Sequence, residues 1–171
     1  MITKYPLEKI VVNTSFGKLT TLADFTDKGF PEIQQAIAAI TGQKPQDRPA
    51  KKSIAGFKLR AGTVIGLKVT LRGRKMMQFL EKVNAIVMPR VRDFRGISSK
   101  GIDDHGNLTF GIREHTVFPE IVLENSRVAF GIEVTLVPRI PMAREAALAF
   151  YRGLGLPLEK NAPVKGGSKK K

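Results

Sequence analysis

Ten basic side chains, Lys44, Arg48, Lys51, Lys52, Lys58, Arg60, Lys68, Arg72, Arg74 and Lys75, fall between residues 44 and 75, and Asp47 is the only acid among them. A surface of this kind neutralises phosphates, because each Lys or Arg that pairs with one releases a condensed counterion. A merely solvated basic face is the competing explanation, yet soluble surfaces ordinarily intersperse both signs of charge. Within the cluster, Lys68, Thr70 and Arg72 alternate with Leu67, Val69 and Leu71. The two-residue period of a strand puts all three polar groups on one face. The polar side of any half-buried antiparallel sheet would read the same way, and it is the adjoining basic cluster that favours a ligand.

Catalytic chemistry finds no comparable support. Asp103, Asp104 and His105 run into Gly106 and Asn107, a composition typical of turns, and no ligand set stands at coordinating spacing. His115 beside Glu114 reads as structural. The chain has no cysteine, which excludes thiolate metal sites, disulfides and thiol nucleophiles. Its glycines form neither a phosphate-cradling Walker loop nor a dinucleotide fingerprint. A non-enzyme without metal or cofactor is expected. Phe57 and Phe94 sit in loops among Gly, Lys and Arg; each is either a loop anchor or a platform for a stacked base.

The whole chain shares the basic bias. Its 171 residues carry a formal charge of +14, and with Lys160 to Lys171 set aside, 24 bases still face 15 acids. A polyanion, nucleic acid first, is therefore the expected partner. No apolar run approaches the roughly 18–20 residues that span a bilayer, the first residues lack a secretory pattern, and a cytoplasmic protein without membrane association is expected. With 42% hydrophobic residues the chain can build a core. One domain over residues 1–159 and a disordered basic tail over 160–171 are the expected organisation.

The elements that must position these groups follow from periodicity. Glu8 to Thr14 reads as a strand. Ile33, Ile37 and Ile40, with Pro31 at the start and Gly42 at the end, predict a helix over Phe30 to Thr41. Residues 43–66 read as a long basic loop with a short strand-like piece around Ala50 to Ile54. A strand over Ile65 to Arg72 and a helix over Arg74 to Val87 come next, with Pro89 limiting the helix. Arg90 to Gly106 reads as a second long, mobile loop. Strands around Leu108 to Ile112 and Val128 to Leu136, and a helix from Met142 to Leu154, complete the series. This order suits an α+β layer arrangement with helices on one sheet face and the other face free to bind.

Several segments in order, GQKP at Gly42 to Pro45, AKKSIAGFKLRAG at Ala50 to Gly62, IGLKVTLRG at Ile65 to Gly73, PRVRDFRGI at Pro89 to Ile97, GNLTFGI at Gly106 to Ile112 and FPEI at Phe118 to Ile121, resemble the bacterial large-subunit ribosomal protein five family. The resemblance implies an antiparallel sheet with helices on one side and a structural role in the large ribosomal subunit. It also implies binding of 5S rRNA and its attachment in the central protuberance. Asn13, Gln43 and Thr70 match the family's polar 5S rRNA contacts, and amides and hydroxyls suit bases and 2′-hydroxyls. Lys44, Lys51, Lys52, Lys68, Arg72, Arg90 and Arg92 are expected to hold 5S or large-subunit rRNA. The loop bearing Gly56, Phe57, Lys58 and Arg60 is expected to reach P-site tRNA. Other exposed loops are expected to meet a protein of the small-subunit head as an intersubunit bridge.

Three departures from the family stand out: the chain begins almost at its first strand without the usual preceding helix, Asn13 is followed by Thr14, Ser15, Phe16 and Gly17 where the family has Met-Gly, and Arg48–Pro49 replace a Thr-Arg pair. Two other functions fit the residues less closely: a free RNA chaperone or regulator using the same basic face, and, more distantly, an RNA-modifying enzyme.

Overall fold

In the computed structural model of the chain, residues 5–17, 19–21, 25–57, 59–121 and 128–159 are described. Five strands, β1 (Leu7–Ser15), β2 (Gln46–Pro49), β3 (Val64–Leu71), β4 (Leu108–Ile112) and β5 (Ile132–Pro138), form one sheet in the order β2-β3-β1-β5-β4. Every neighbouring pair is antiparallel. The helices are α1 (Phe30–Thr41), α2 (Gly73–Lys82), the single turn α3 (Met88–Arg90) and α4 (Arg144–Gly153). The α+β class with an antiparallel sheet is as expected.

Alternation decides which way each strand faces. Ile10 and Val12 of β1, Leu67, Val69 and Leu71 of β3, and Ile132, Val134 and Leu136 of β5 are buried. They join Ile33, Ile37 and Ile40 of α1 and Met76, Phe79 and Leu80 of α2 in one hydrophobic cluster. Burying each such side chain contributes about 1.5–3 kcal/mol, so the apolar rows fix both register and facing. The residues between them are left on the opposite face.

α1 matches its predicted bounds. Pro31 lies in its first turn, and Gly42 ends it in a left-handed conformation (φ 63°) with its N–H on the Ala38 carbonyl at 2.8 Å, a position glycine occupies without a Cβ penalty. The helix that starts at Gly73 departs from expectation, because it runs through a wide π-type turn at Val83–Val87 into α3 and carries Pro89 inside it. Proline removes a helical donor and crowds the carbonyl four residues back. The wide turn re-spaces the backbone just ahead of it, and burial of Val83, Val87 and Met88 favours continuing the helix.

Two loop expectations also change. The short strand predicted around Ala50 to Ile54 lies at Gln46–Pro49, all four residues exposed, paired with the edge of β3. Its own residues carry no strand pattern; β3 supplies the partner, and an edge tolerates Pro49. Residues 50–57 and 59–63 then form the two sides of a hairpin extension, with Ala50 and Thr63 bonded at 2.8 Å and Ile54 paired with Leu59.

Arg90 to Gly106, expected as a mobile loop, begins with the last residue of α3 and is tied down at several points beyond it. Ile97 bonds Pro157 and Glu159 through its backbone, Ile102 pairs with Leu108, and Arg144 donates to the Ser99 carbonyl at 3.0 Å. Gly101 passes so close to β4 that a Cβ there would lie 2.1 Å from the Thr109 carbonyl oxygen. Tyr151 of α4, fully buried, places its hydroxyl 2.8 Å from the Gly106 carbonyl and 3.1 Å from that of Leu136, joining this loop, β5 and α4.

The predicted strand start at Val128 also moves, to Ile132. Phe130 lies ahead of the strand and stacks on the buried His115 with ring centroids 4.0 Å apart. The last helix is two residues later at its start and one shorter at its end than Met142 to Leu154. The tail expectation over 160–171 falls outside the described residues.

Candidate nucleic-acid interface

The face of the sheet turned away from the core collects the residues singled out by alternation. Asn13 pairs with Lys68 of β3 on one side and Glu133 of β5 on the other, and Lys68 pairs in turn with Gln46 of β2. Glu133 pairs with Gly111 of β4. Paired residues of an antiparallel sheet share a face, so Gln46, Lys68, Asn13, Glu133 and Gly111 form one row. Thr70, Val11, Thr135 and Thr109 form the next.

Asn13, Lys68 and Thr70 are half-buried, and no hydrogen bond or ion pair within the described residues takes their side-chain polar groups. Other polar groups of the face are already engaged: Thr109 and Thr135 bond each other through their hydroxyls at 3.0 Å. Gln43, just past Gly42, donates from Nε2 to the Thr70 carbonyl at 3.3 Å, which sets it at the rim of the same face with its amide oxygen unspent. Lys75 donates to the Gly42 carbonyl at 2.9 Å, a cation at the negative end of α1 that steadies the turn bearing Gln43.

The remaining predicted residues are distributed around this face. Lys44 is exposed beside Gln43, and exposed Arg72 directly follows β3 and precedes α2. Lys51, Lys52, Gly56 and Arg60 are exposed on the hairpin extension, which continues β2 and β3 past the end of the sheet where Ser15 meets Gly66. The Phe57 side chain and Lys58 lie outside the described residues. Arg90 and Arg92 are exposed at the opposite end of a helical run from Arg72. They follow a helical run that begins near Arg72, and 18 residues at a rise of about 1.5 Å each separate the two ends by roughly 27 Å.

Sequence reasoning misses Gln46, Glu133 and the Thr109–Thr135 pair. Glu133 and Thr135 alternate with Ile132, Val134 and Leu136, so their facing is readable, but only the pairing with β1 shows that they flank Asn13. The Asp103 turn is as expected. Its carboxylate accepts from the backbone N–H groups of His105 and Asn107 at 2.9 and 2.8 Å and from the Asn107 side chain at 2.7 Å. Slight burial pushes this carboxyl up, and the bonds from Asn107 and His105 outweigh it to leave the group below its ordinary value. Burial pushes His115 down, against a smaller upward pull from the Phe130 backbone, Glu32 and Glu114. Among the described residues no cluster of three potential metal ligands occurs, and no helix is long and apolar enough to cross a membrane.

Comparison with known families fixes what carries this face. Residues 4–60 match the family model for ribosomal protein L5, and residues 64–158 match the model for the C-terminus of the same ribosomal family. The chain belongs to the ribosomal protein L5 family. It is 44% identical over 159 residues to the large ribosomal subunit protein uL5 of Malacoplasma penetrans, covering 93% of the chain and 82% of that relative. It is 46% identical over 154 residues to uL5 of Helicobacter pylori strain P12, covering 90% and 82%. With uL5 of Mycoplasma pneumoniae it shares 47% identity over 154 residues, 90% of the chain and 83% of the relative. The chain is accordingly a structural, non-enzymatic ribosomal protein of the large subunit, located on the cytoplasmic ribosome.

Proposed function

We propose that this chain binds 5S rRNA through the open sheet face and attaches it to large-subunit rRNA in the central protuberance. One observation carries the reading: Asn13, Lys68 and Thr70 lie side by side on that face with their polar groups unspent, and Gln43 is held at its rim. Unpaired amides and hydroxyls suit bases and 2′-hydroxyls, while Lys44, Arg72, Lys51 and Lys52 surround them with charge for the backbone. Arg90 and Arg92, on the far side of the helical run, serve a separate stretch of large-subunit rRNA.

The hairpin extension, with Gly56, Phe57, Lys58 and Arg60, reaches P-site tRNA, and exposed loops meet a small-subunit head protein to form an intersubunit bridge. Residues 1–159 act as the binding unit. The basic residues 160–171 add affinity that does not depend on RNA sequence.

Competition binding tests the central claim: the chain should prefer 5S rRNA to random RNA of equal length at moderate salt, and equal affinities would overturn it. Crosslinks from residue 60 in programmed ribosomes test the hairpin. Capture of tRNA is expected, and capture of 5S rRNA instead would move these bases into the assembly interface.

A further inference from the structure

A carboxylate stands in the middle of a face built to meet a polyanion. Of the three acids in the strands, Asp47 pairs with the core-facing Leu67, and Glu8 forms an ion pair with Lys9 at 3.3 Å. Glu133 alone is exposed on the open face with no hydrogen bond or ion pair to any described residue. Lys68, in the same row, is two strands away, roughly 9–10 Å at the usual strand spacing, with Asn13 between them. Near a phosphate this carboxylate would only repel. A base edge rich in donors would instead be attracted.

The surroundings favour a base. Gly111, the partner of Glu133 on β4, has no side chain, and a Cβ built there meets nothing within 4 Å. A flat ring therefore has room above β4 beside the carboxylate. On the other side of Glu133 lies Asn13, whose side chain begins about 4.5–5.5 Å away as a directly opposed partner. The pair offers two carboxylate acceptors next to an amide donor.

We propose that Glu133 and Asn13 together read the Watson–Crick edge of an unpaired guanine. Guanine presents two adjacent donors, N1–H and the 2-amino group, which fill both carboxylate oxygens, and its O6 takes a hydrogen bond from Asn13 Nδ2. Adenine and cytosine each offer one donor group beside acceptors, and uracil places its single N–H between two carbonyls. None of them satisfies both carboxylate oxygens. Glu133 thus sets specificity, while the lysines around it supply affinity. This assignment rests on the reading of the sheet face as the 5S rRNA site.

The test uses the full chain, its Glu133→Gln variant, and 5S rRNA carrying inosine, which lacks the 2-amino group, at each unpaired guanine in turn. Inosine at one position should weaken the wild type roughly tenfold or more, as expected for losing part of a bidentate base contact. Glu133→Gln should bind unmodified 5S rRNA more weakly by a similar factor and be indifferent to the same inosine. Glu133 is exposed, so the variant should keep the wild-type melting temperature. Equal or tighter binding by Glu133→Gln, or inosine effects of the same size in both proteins, would overturn the guanine site while leaving the 5S rRNA reading standing. A wild type that does not distinguish 5S rRNA from random RNA would overturn both.

Discussion

Replacing Asn13 and Thr70 together with alanine isolates the neutral contacts of the sheet face from its charge. Both side chains are half-buried, and neither uses its polar group inside the described fold, so truncation removes no hydrogen bond that supports the native state. Thr70 pairs with Val11 and Asn13 with Lys68, which makes Asn13 and Thr70 diagonal neighbours about 7–8 Å apart, close enough to hold one stretch of RNA. A neutral hydrogen bond is worth about 0.5–1.5 kcal/mol net, and about 1–3 kcal/mol when its loss strands a buried partner. The double variant should therefore weaken 5S rRNA binding by about 1–3 kcal/mol, from about fivefold to somewhat over a hundredfold. Because both groups act on one RNA segment, the single variants should sum to something other than the double. Thr109→Val is the internal control, since its hydroxyl already bonds Thr135, and it should change binding little. Calorimetric or filter-binding titrations at one fixed salt concentration, alongside thermal melts, give the answer. A double variant that melts like the wild type and binds within twofold of it would refute the reasoning, as would a Thr109→Val variant that loses as much.

Binding of 5S rRNA should weaken steeply with salt, and Lys51→Ala with Lys52→Ala should reduce the slope of log K against log salt by about 0.7–0.9 per phosphate contact removed; an unchanged slope would take these lysines out of the interface. Deleting residues 160–171 should lower affinity for 5S rRNA and random RNA alike, so loss of discrimination would place recognition in the tail. Tyr151→Phe should cost about 1–3 kcal/mol in chemical denaturation, because the single hydroxyl proton shared by the Gly106 and Leu136 carbonyls is lost from a buried site; a neutral effect would show that another group replaces it. Burial holds the His115 pKa below its ordinary 6.5, so the unfolded chain binds the extra proton first. Stability should be level above about pH 6.5 and fall as pH drops below it, and His115→Gln should flatten that part of the profile.

The parts of this fold that are legible in the sequence are those whose own side chains decide them. α1 is bounded by Pro31 and Gly42 around Ile33, Ile37 and Ile40, and β3 announces both its faces through Leu67, Val69 and Leu71 against Lys68 and Thr70. β2 is not legible, because Gln46, Asp47, Arg48 and Pro49 have no strand pattern and are held by the free edge of β3. Pro89 suggests a stop that buried Val87 and Met88 override. For the site, alternation finds Lys68 and Thr70. Glu133 escapes it because its importance comes from standing beside Asn13 across more than a hundred residues of chain. Arg90 and Arg92 join the sheet residues by charge alone, and the long helical run separates them from it.

The division of labour along β1 has a consequence for how such a surface can change over time. Ile10 and Val12 are buried in the interior, while Val11 and Asn13 between them lie half-buried on the open face. Substitutions at the outward positions can therefore be sampled almost without loss of stability, and the RNA specificity of the face can drift or be redesigned on an unaltered scaffold. Insertions have no such freedom. One added residue in β1 would exchange the two rows, turning apolar side chains toward RNA and Asn13 toward the core. Lineages of this protein should accordingly hold the length of the strand constant, and any change at the outward positions should track the RNA they contact rather than the stability of the fold.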